Sequence, residues 1–190
     1  MNEEFLEKLK ETEKNYFTLK DFEKIWPGKK ESLKVVVSRL VKAGQLKRIQ
    51  RNYYFLPEKI FEIEEIANQI YFPSYLSFES ALSRWGILSQ IPYVLSFATS
   101  LKTKKIAIEK TKIEYRKIKK ELFFGFSSQK GIYIAFPEKA LLDTFYLASF
   151  GKLKINFEKL DYSKIQKKKL FLWLKKFPSK TQKLALKFLK

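Results

Sequence analysis

The sequence predicts an α+β fold for this chain of 190 residues. Apolar residues recur at helical spacing near both ends, and short alternating runs rich in strand formers lie between residues 93 and 136. Aromatic residues make up 16% of the chain, which is enough bulk for packed cores. We expect four parts, which are an N-terminal domain over 1–58, a connecting helix over 59–72, a small mixed α/β domain over 73–150 and a basic helical tail over 151–190.

The composition excludes several classes of enzyme. Neither His nor Cys is present, so the chain has no thiol or imidazole nucleophile, no Cys/His zinc site and no disulfide bond. No Asp-x-Lys or Glu-x-Lys pair of the metal-dependent nuclease type occurs, and the six Gly form no phosphate-binding loop. We therefore expect a non-enzyme without catalytic residues, metal or cofactor.

Two short helices are predicted at the N-terminus. Phe5, Leu6 and Leu9 repeat at helical spacing. Thr18 and Asp21 then stand three residues apart, as in the capping box that begins many helices. The second helix is therefore expected to begin just after Thr18.

A third helix is predicted after the break at Pro27-Gly28. It is expected to end at Gly44, because glycine readily adopts the positive φ that terminates a helix. The turn between the second and third helices would be the connection of a helix-turn-helix motif. The apolar stripe of the third helix consists of Leu33, Val36, Val37, Leu40 and Val41.

A β-hairpin is predicted to follow Gly44. Residues 45–49 alternate between polar and apolar, and residues 53–56 are rich in strand formers, so the two runs can pair around residues 50–52. Three helices followed by a two-stranded wing is the order of a winged helix-turn-helix domain.

Positive charge is concentrated in this third helix and hairpin. Residues 28–54 contain eight Lys and Arg but a single acidic residue, Glu31, which gives +7 of the chain's net charge of +19. Cations neutralise phosphates and a helix fits the major groove, so the block predicts binding to double-stranded DNA. A protein-binding winged helix, or a plain solvated lysine surface, is the alternative. The candidate DNA-binding residues are Lys29 and Lys30 at the start of the third helix, Lys34, Ser38, Arg39 and Lys42 opposite its apolar stripe, and Lys47, Arg48 and Arg51 on the wing.

The middle of the chain predicts helices around a small, mostly antiparallel sheet. The connecting helix is expected over residues 60–71, and a second helix opens within Pro73–Leu82, with Ser77 as its candidate N-cap. Strands are expected at 93–98, 104–108, 113–118, 122–126 and 131–136.

Another helix begins at Pro137 and ends at Gly151. Proline suits the first helical position, and Glu138 adds a favourable negative charge to the first turn. We expect Glu138 and Asp143 to be solvated or to support the helix dipole, while the apolar residues of this helix build the core.

Three blocks of this sequence form one pattern, namely Tyr53-Tyr54, Pro73–Ser77 with Ser80–Leu82 and Gly86, and Pro137–Asp143. Together they resemble AbiEi-type antitoxins of type IV, abortive-infection toxin–antitoxin systems. The resemblance covers about residues 10–150 and implies a winged helix that represses its own operon by binding the promoter. It also implies a C-terminal domain that counteracts a nucleotidyltransferase-like toxin, without naming a site residue there. A standalone winged-helix regulator that binds DNA or RNA is the alternative.

The C-terminal end is rich in lysine and carries a net charge of +11 over residues 151–190. Two short helices separated by Pro178 are expected to cover a core with their apolar sides and to turn their basic sides toward DNA. The start of the chain lacks the pattern of a secretory signal, and Gly86 and Pro92 interrupt the longest uncharged stretch. A cytoplasmic protein that does not enter membranes is therefore expected.

Overall fold

The structure is a computed structural model that describes residues 2–58 and 62–189. The chain divides into two compact units, Met1–Glu62 and Ile63–Lys190. Each unit contains its own helices and its own sheet, so the α+β class predicted from the sequence is confirmed.

The first unit alternates helices with short strands. Its strands form one antiparallel sheet in the order β1-β3-β2, in which Phe17 lies opposite Tyr54 and Lys47 lies opposite Phe55. The two-residue strand β1 was not predicted, because two residues show no alternating pattern. The elements are α1 (Asn2–Lys10), β1 (Phe17–Thr18), α2 (Leu19–Ile25), α3 (Lys30–Lys42), β2 (Lys47–Gln50) and β3 (Tyr53–Phe55).

An aromatic cluster forms the core of the first unit. The ring of Phe22 lies 5.4–5.7 Å from the rings of Phe5, Phe17 and Tyr54, measured between centroids. Trp26 meets Phe5 edge to face at 5.3 Å. The buried side of α3 belongs to this core and consists of Leu33, Val36, Val37 and Leu40. The core therefore determines which side of α3 faces outward.

The capping box predicted at the start of α2 is confirmed. The Thr18 hydroxyl accepts a hydrogen bond from the Asp21 backbone N–H at 3.3 Å, and Asp21 Oδ2 accepts one from the Thr18 backbone N–H at 2.8 Å. Two backbone donors at the helix start, which have no partner within the helix, are thereby satisfied.

The second unit is built on a six-stranded sheet in the order β6-β7-β5-β4-β9-β8. The neighbours β4–β9 and β5–β7 run parallel, and the other three neighbouring pairs are antiparallel, so the sheet is mixed. The elements are α4 (Ile63–Ile70), β4 (Ser74–Leu76), α5 (Phe78–Arg84), β5 (Val94–Thr99), β6 (Lys104–Ile108), β7 (Thr111–Lys117), β8 (Phe126–Gln129), β9 (Ile132–Ala135), α6 (Pro137–Ser149), α7 (Lys167–Leu174) and α8 (Ser179–Phe188).

Two elements of the second unit differ from the prediction. Strand β4 was not predicted, and pairing with β5 on one side and β9 on the other satisfies its backbone. The helix expected within Pro73–Leu82 begins after this strand, with Ser77 at the N-cap position as predicted. Residues 122–126 were expected to be a strand, but Lys120–Leu122 is a 3-10 turn and β8 starts only at Phe126.

The connecting helix is shorter than the predicted range. Helix α4 covers Ile63–Ile70, and residues 59–61 of the predicted range lie outside the described residues. Its buried positions include Ile66 and Ala67.

The basic tail belongs to the core of the second unit. The helices predicted on either side of Pro178 are confirmed as α7 and α8, which both pack on α6. Leu170, Leu174 and Ala185 are buried, and the Ser149 and Thr181 hydroxyls lie 3.0 Å apart. No helix in residues 2–58 or 62–189 combines the length and the apolar character that a membrane span requires.

A fully buried ion pair lies inside the second unit. Lys139 and Asp143, one turn apart on α6, form a salt bridge with no exposed side-chain surface. The Tyr75 hydroxyl accepts from Lys139 Nζ at 2.8 Å and donates to Asp143 Oδ2 at 2.9 Å, and the Ser77 hydroxyl donates to the same oxygen at 2.9 Å. Burial raises the pKa of Asp143 and lowers the pKa of Lys139, while their mutual attraction opposes both shifts.

The expectation that Glu138 and Asp143 are solvated is therefore wrong, although Glu138 does lie in the first turn of α6, where a negative charge suits the helix dipole. Only 1% of Glu138 is exposed, and its carboxylate accepts from the Gln166 backbone N–H at 3.0 Å and pairs with Lys169 at 3.1 Å. Asp143 has no exposed surface because β4 and α5 cover α6 at this point. Apart from Lys139, the partners of both carboxylates are distant in sequence.

We predict that Asp143→Ala lowers the free energy of unfolding of the second unit by about 3–5 kcal/mol, because it leaves the Lys139 ammonium buried without its carboxylate. Urea unfolding followed by the NMR signals of this unit measures the loss. The exposed Glu158→Ala variant is the control and should change stability by at most about 0.5 kcal/mol. The double variant Lys139→Met/Asp143→Leu, which removes both charges, should be more stable than Asp143→Ala. Equal stability of Asp143→Ala and the control contradicts this account.

Candidate nucleic-acid interface

A hydrogen-bonded turn holds the start of α3. The indole Nε1 of Trp26 donates to the Lys29 carbonyl and to the Ser32 hydroxyl, both at 3.2 Å, and the Ser32 hydroxyl donates to the Lys29 carbonyl at 2.6 Å. A Cβ atom at Gly28 would lie 2.8 Å from Trp26 Nε1, so this close approach requires glycine. The turn therefore fixes the point at which α3 leaves the core.

The other end of α3 leads directly into the hairpin. Gly44 has a φ of 72°, and the backbone N–H groups of Gln45 and Leu46 both donate to the Leu40 carbonyl, at 2.9 and 3.2 Å. The predicted termination at Gly44 is confirmed, since α3 ends at Lys42. This tight exit keeps β2 close to the last turns of α3.

A groove of about 430 Å³ lies between α3 and the hairpin. Lys34, Ser38 and Lys42 line it from α3, and because they are four residues apart they share one side of the helix. Arg48 and Asn52 line it from the hairpin. Apolar and aromatic residues complete the lining, namely Leu19, Val37, Val41 and Tyr54.

The geometry of the hairpin brings Arg48 and Asn52 to this groove. The register of β2 against β3 shifts between Arg48 and Gln50, and Asn52 at the tip has a φ of 67°, which asparagine tolerates better than most residues. Arg48 Nε donates to the Gln50 carbonyl at 3.3 Å, which restrains the guanidinium.

Four of the nine candidate DNA-binding residues come together at the groove, namely Lys34, Ser38, Lys42 and Arg48. All nine are exposed. Lys30 Nζ lies 3.0 Å from Glu23 Oε1, and Lys47 Nζ lies 5.8 Å from the centroid of the Phe55 ring, so both cations have neighbours within the unit. The candidates that do not line the groove are Lys29, Lys30, Arg39, Lys47 and Arg51.

Several cations around the groove are available to an external anion. In the part of the chain that the structure describes, seven of the eight candidate cations make no ion pair with a carboxylate, and Lys30 is the exception. The seven are Lys29, Lys34, Arg39, Lys42, Lys47, Arg48 and Arg51. Arg39 follows Ser38 directly on the exposed surface of α3. An external polyanion therefore meets unpaired charge on both the helix and the hairpin.

Sequence reasoning missed Asn52 as a lining residue. It was treated only as part of the turn, although its position beside Arg51 at the hairpin tip was a signal that it projects from the wing. Its amide can both donate and accept hydrogen bonds, so it can contact a phosphate or a base edge. No group of three or more acidic side chains that could share a metal ion occurs in residues 2–58 and 62–189.

Neither the models of known protein families nor the curated protein sequences give a match to the chain. Function is therefore inferred from the groove, its unpaired cations and the sequence.

We predict that Gly28→Ala weakens the start of α3. The added Cβ would displace the Trp26 indole, and the free energy of opening of the α3 amides should fall by about 1–3 kcal/mol because the indole hydrogen bonds are lost. Native-state hydrogen exchange measures this quantity. Lys29→Ala is the matched control, since only the backbone carbonyl of Lys29 takes part in the turn, and it should change the opening free energy by at most about 0.5 kcal/mol. If the hydrogen exchange of the α3 amides is unchanged in Gly28→Ala, the turn does not hold the start of α3.

Proposed function

We propose that the chain is a DNA-binding transcriptional repressor whose N-terminal unit is a winged helix-turn-helix domain. We further propose that it is the antitoxin of a type IV toxin–antitoxin system, which represses its own operon and counteracts a nucleotidyltransferase-like toxin in the cytoplasm. The observation that carries the DNA-binding half is the groove where Lys34, Ser38 and Lys42 of α3 meet Arg48 of the hairpin.

The order of elements in the first unit supports the winged-helix assignment. The elements follow the order α1-β1-α2-α3-β2-β3, and the sheet is ordered β1-β3-β2. This order supports assigning α2 and α3 to a helix-turn-helix and β2 and β3 to a wing. In such domains the second helix of the motif enters the major groove. Helix α3 has this position in the sequence, and its exposed side carries the unpaired cations.

The distribution of charge also supports contact with DNA through α3. Residues 1–27 have a net charge of −2, whereas residues 28–54 have +7. Phosphates supply most of the affinity of DNA-binding proteins, and base edges in the major groove supply most of the specificity. A basic α3 and wing beside an acidic N-terminal segment favour contact through α3 and the wing.

The candidate residues have different roles in this proposal. Arg39, on the exposed side of α3, can make bidentate contacts to guanine and is our candidate for base recognition. The wing residues Lys47, Arg48 and Arg51 contact phosphates. Lys29 and Lys30 flank the helix start, where backbone N–H groups also favour phosphate, and Lys30 must exchange its contact with Glu23 for DNA.

The antitoxin half rests on the resemblance of the sequence to AbiEi-type antitoxins. Two of the blocks that carry this resemblance meet in the second unit, where Tyr75 and Ser77 of one block hydrogen-bond to Asp143 of the other. This contact supports the view that both blocks maintain one fold. It gives no residue a direct role against a toxin.

We predict that the chain binds double-stranded DNA from its own promoter with a salt dependence set by phosphate contacts. With about five to seven phosphates neutralised, a plot of log affinity against log salt should have a slope of about −5 to −6. Lys42→Ala should weaken binding and make the slope less negative by about one unit. Lys8→Ala is the matched control, because Lys8 is paired with Glu4 on α1 and should leave both quantities unchanged. A slope near zero contradicts the proposed interface, and so does an equal loss of DNA affinity in Lys42→Ala and Lys8→Ala.

We also predict that the intact chain, expressed from an unrelated promoter, restores growth to cells that produce the nucleotidyltransferase-like toxin of its own operon. The double variant Lys34→Ala/Lys42→Ala should rescue equally well, because the toxin is countered by the second unit in this proposal. Counting colonies measures both. Failure of the intact chain to rescue would leave the alternative, a standalone winged-helix regulator of DNA or RNA with no toxin partner.

A further inference from the structure

One apolar side chain stands out on the proposed DNA-facing side of α3. Val35 has 50% of its surface exposed, and among the described residues 2–58 no other large hydrophobic side chain is classed as exposed. The remaining large apolar residues of α3 are buried or partly buried in the core. Val35 therefore differs from the other large hydrophobic residues within 2–58.

The neighbours of Val35 on the helix are polar. At about 100° per residue, Glu31 lies one turn before Val35, and Ser38 and Arg39 lie one turn after it, all on exposed positions. Leu33 and Val36 point to the core. Val35 is thus at the centre of the exposed side, between groups that can form hydrogen bonds with base edges.

Valine at this position gains only part of its burial in the free chain. A β-branched side chain lowers helix propensity relative to alanine or a straight-chain residue, and half of the Val35 surface stays exposed. A partner from outside the unit can bury this exposed half.

We infer that Val35 reads thymine, by packing its methyl groups against the C5 methyl group of a thymine in the major groove. This inference rests on the proposed DNA-binding function. The thymine methyl is the apolar group that base pairs present in the major groove, and small apolar side chains contact it there. Arg39, one turn away, then reaches the neighbouring base pair or phosphate.

Charge favours DNA over a second copy of the chain as the partner of this surface. Lys34, Arg39 and Lys42 share the exposed side of α3 with Val35, and a single acidic residue of α3, Glu31, opposes them. Two such surfaces repel each other, whereas DNA attracts them. The apolar contact is then made inside an electrostatically favourable complex.

Replacement of thymine by deoxyuridine tests the inference, because deoxyuridine lacks only the C5 methyl group. A duplex selected from a random-sequence pool by the intact chain serves as the probe, and each thymine is replaced in turn. At one thymine of each binding site in the duplex, replacement by deoxyuridine should lower the affinity of the unaltered chain by about fourfold. This is the effect of one buried methyl group. Val35→Ala should lose a similar factor on the thymine duplex and be insensitive to that replacement.

Two controls separate this effect from general weakening. Lys47→Ala, on the wing, should lower affinity for the thymine and deoxyuridine duplexes equally and so keep their ratio. The melting temperature of Val35→Ala should not fall, since alanine is the better helix former.

The inference is overturned if Val35→Ala still loses the full fourfold affinity when thymine is replaced by deoxyuridine. It is also overturned if no such replacement lowers the affinity of the unaltered chain, while DNA binding keeps its salt dependence. The proposed function then still stands. It is also overturned if Val35→Ala changes only the sedimentation of the free chain, because the surface would then join two copies. Absence of any selected duplex instead contradicts the proposed DNA binding itself.

Discussion

The amphipathic character of α3 is the constraint on which the candidate interface depends. Leu33, Val36 and Leu40 are buried in the core that contains Phe22, and they cannot leave it without exposing apolar surface to water. The opposite side of the same helix must then face outward. Its cations therefore lie on the surface of the unit. The core that stabilises the unit thus also determines where the positive charge lies.

The second unit has a comparable constraint in the buried pair Lys139 and Asp143. A buried ion pair is stable only when its remaining donors and acceptors form hydrogen bonds. The hydroxyls of Tyr75 and Ser77 supply these hydrogen bonds. The same residues lie in the blocks that resemble AbiEi-type antitoxins. Those two blocks are therefore explained by the folding of the unit. In the proposed antitoxin function, the surface that acts on a toxin is to be sought among the exposed residues of this unit.

Local signals predicted most helices, and long-range contacts account for what was missed. The capping box of Thr18 and the terminal Gly44 are encoded within a few residues, so α2 and α3 were predicted. Strand β4 and the burial of Asp143 depend on partners far along the chain, such as the contact between Tyr75 and Asp143. The cations of the interface were predicted from helical periodicity, but the position of Arg48 beside them depends on a register shift in the hairpin.

The most direct test of the interface is an NMR titration of the isotope-labelled chain with a double-stranded DNA fragment from its promoter. If α3 and the wing form the interface, the largest saturable changes in amide chemical shift will fall on residues 29–42 and 47–52, with residues 2–10 of α1 changing little. Changes centred on α1 or on the second unit, or shifts that do not saturate, would contradict the account.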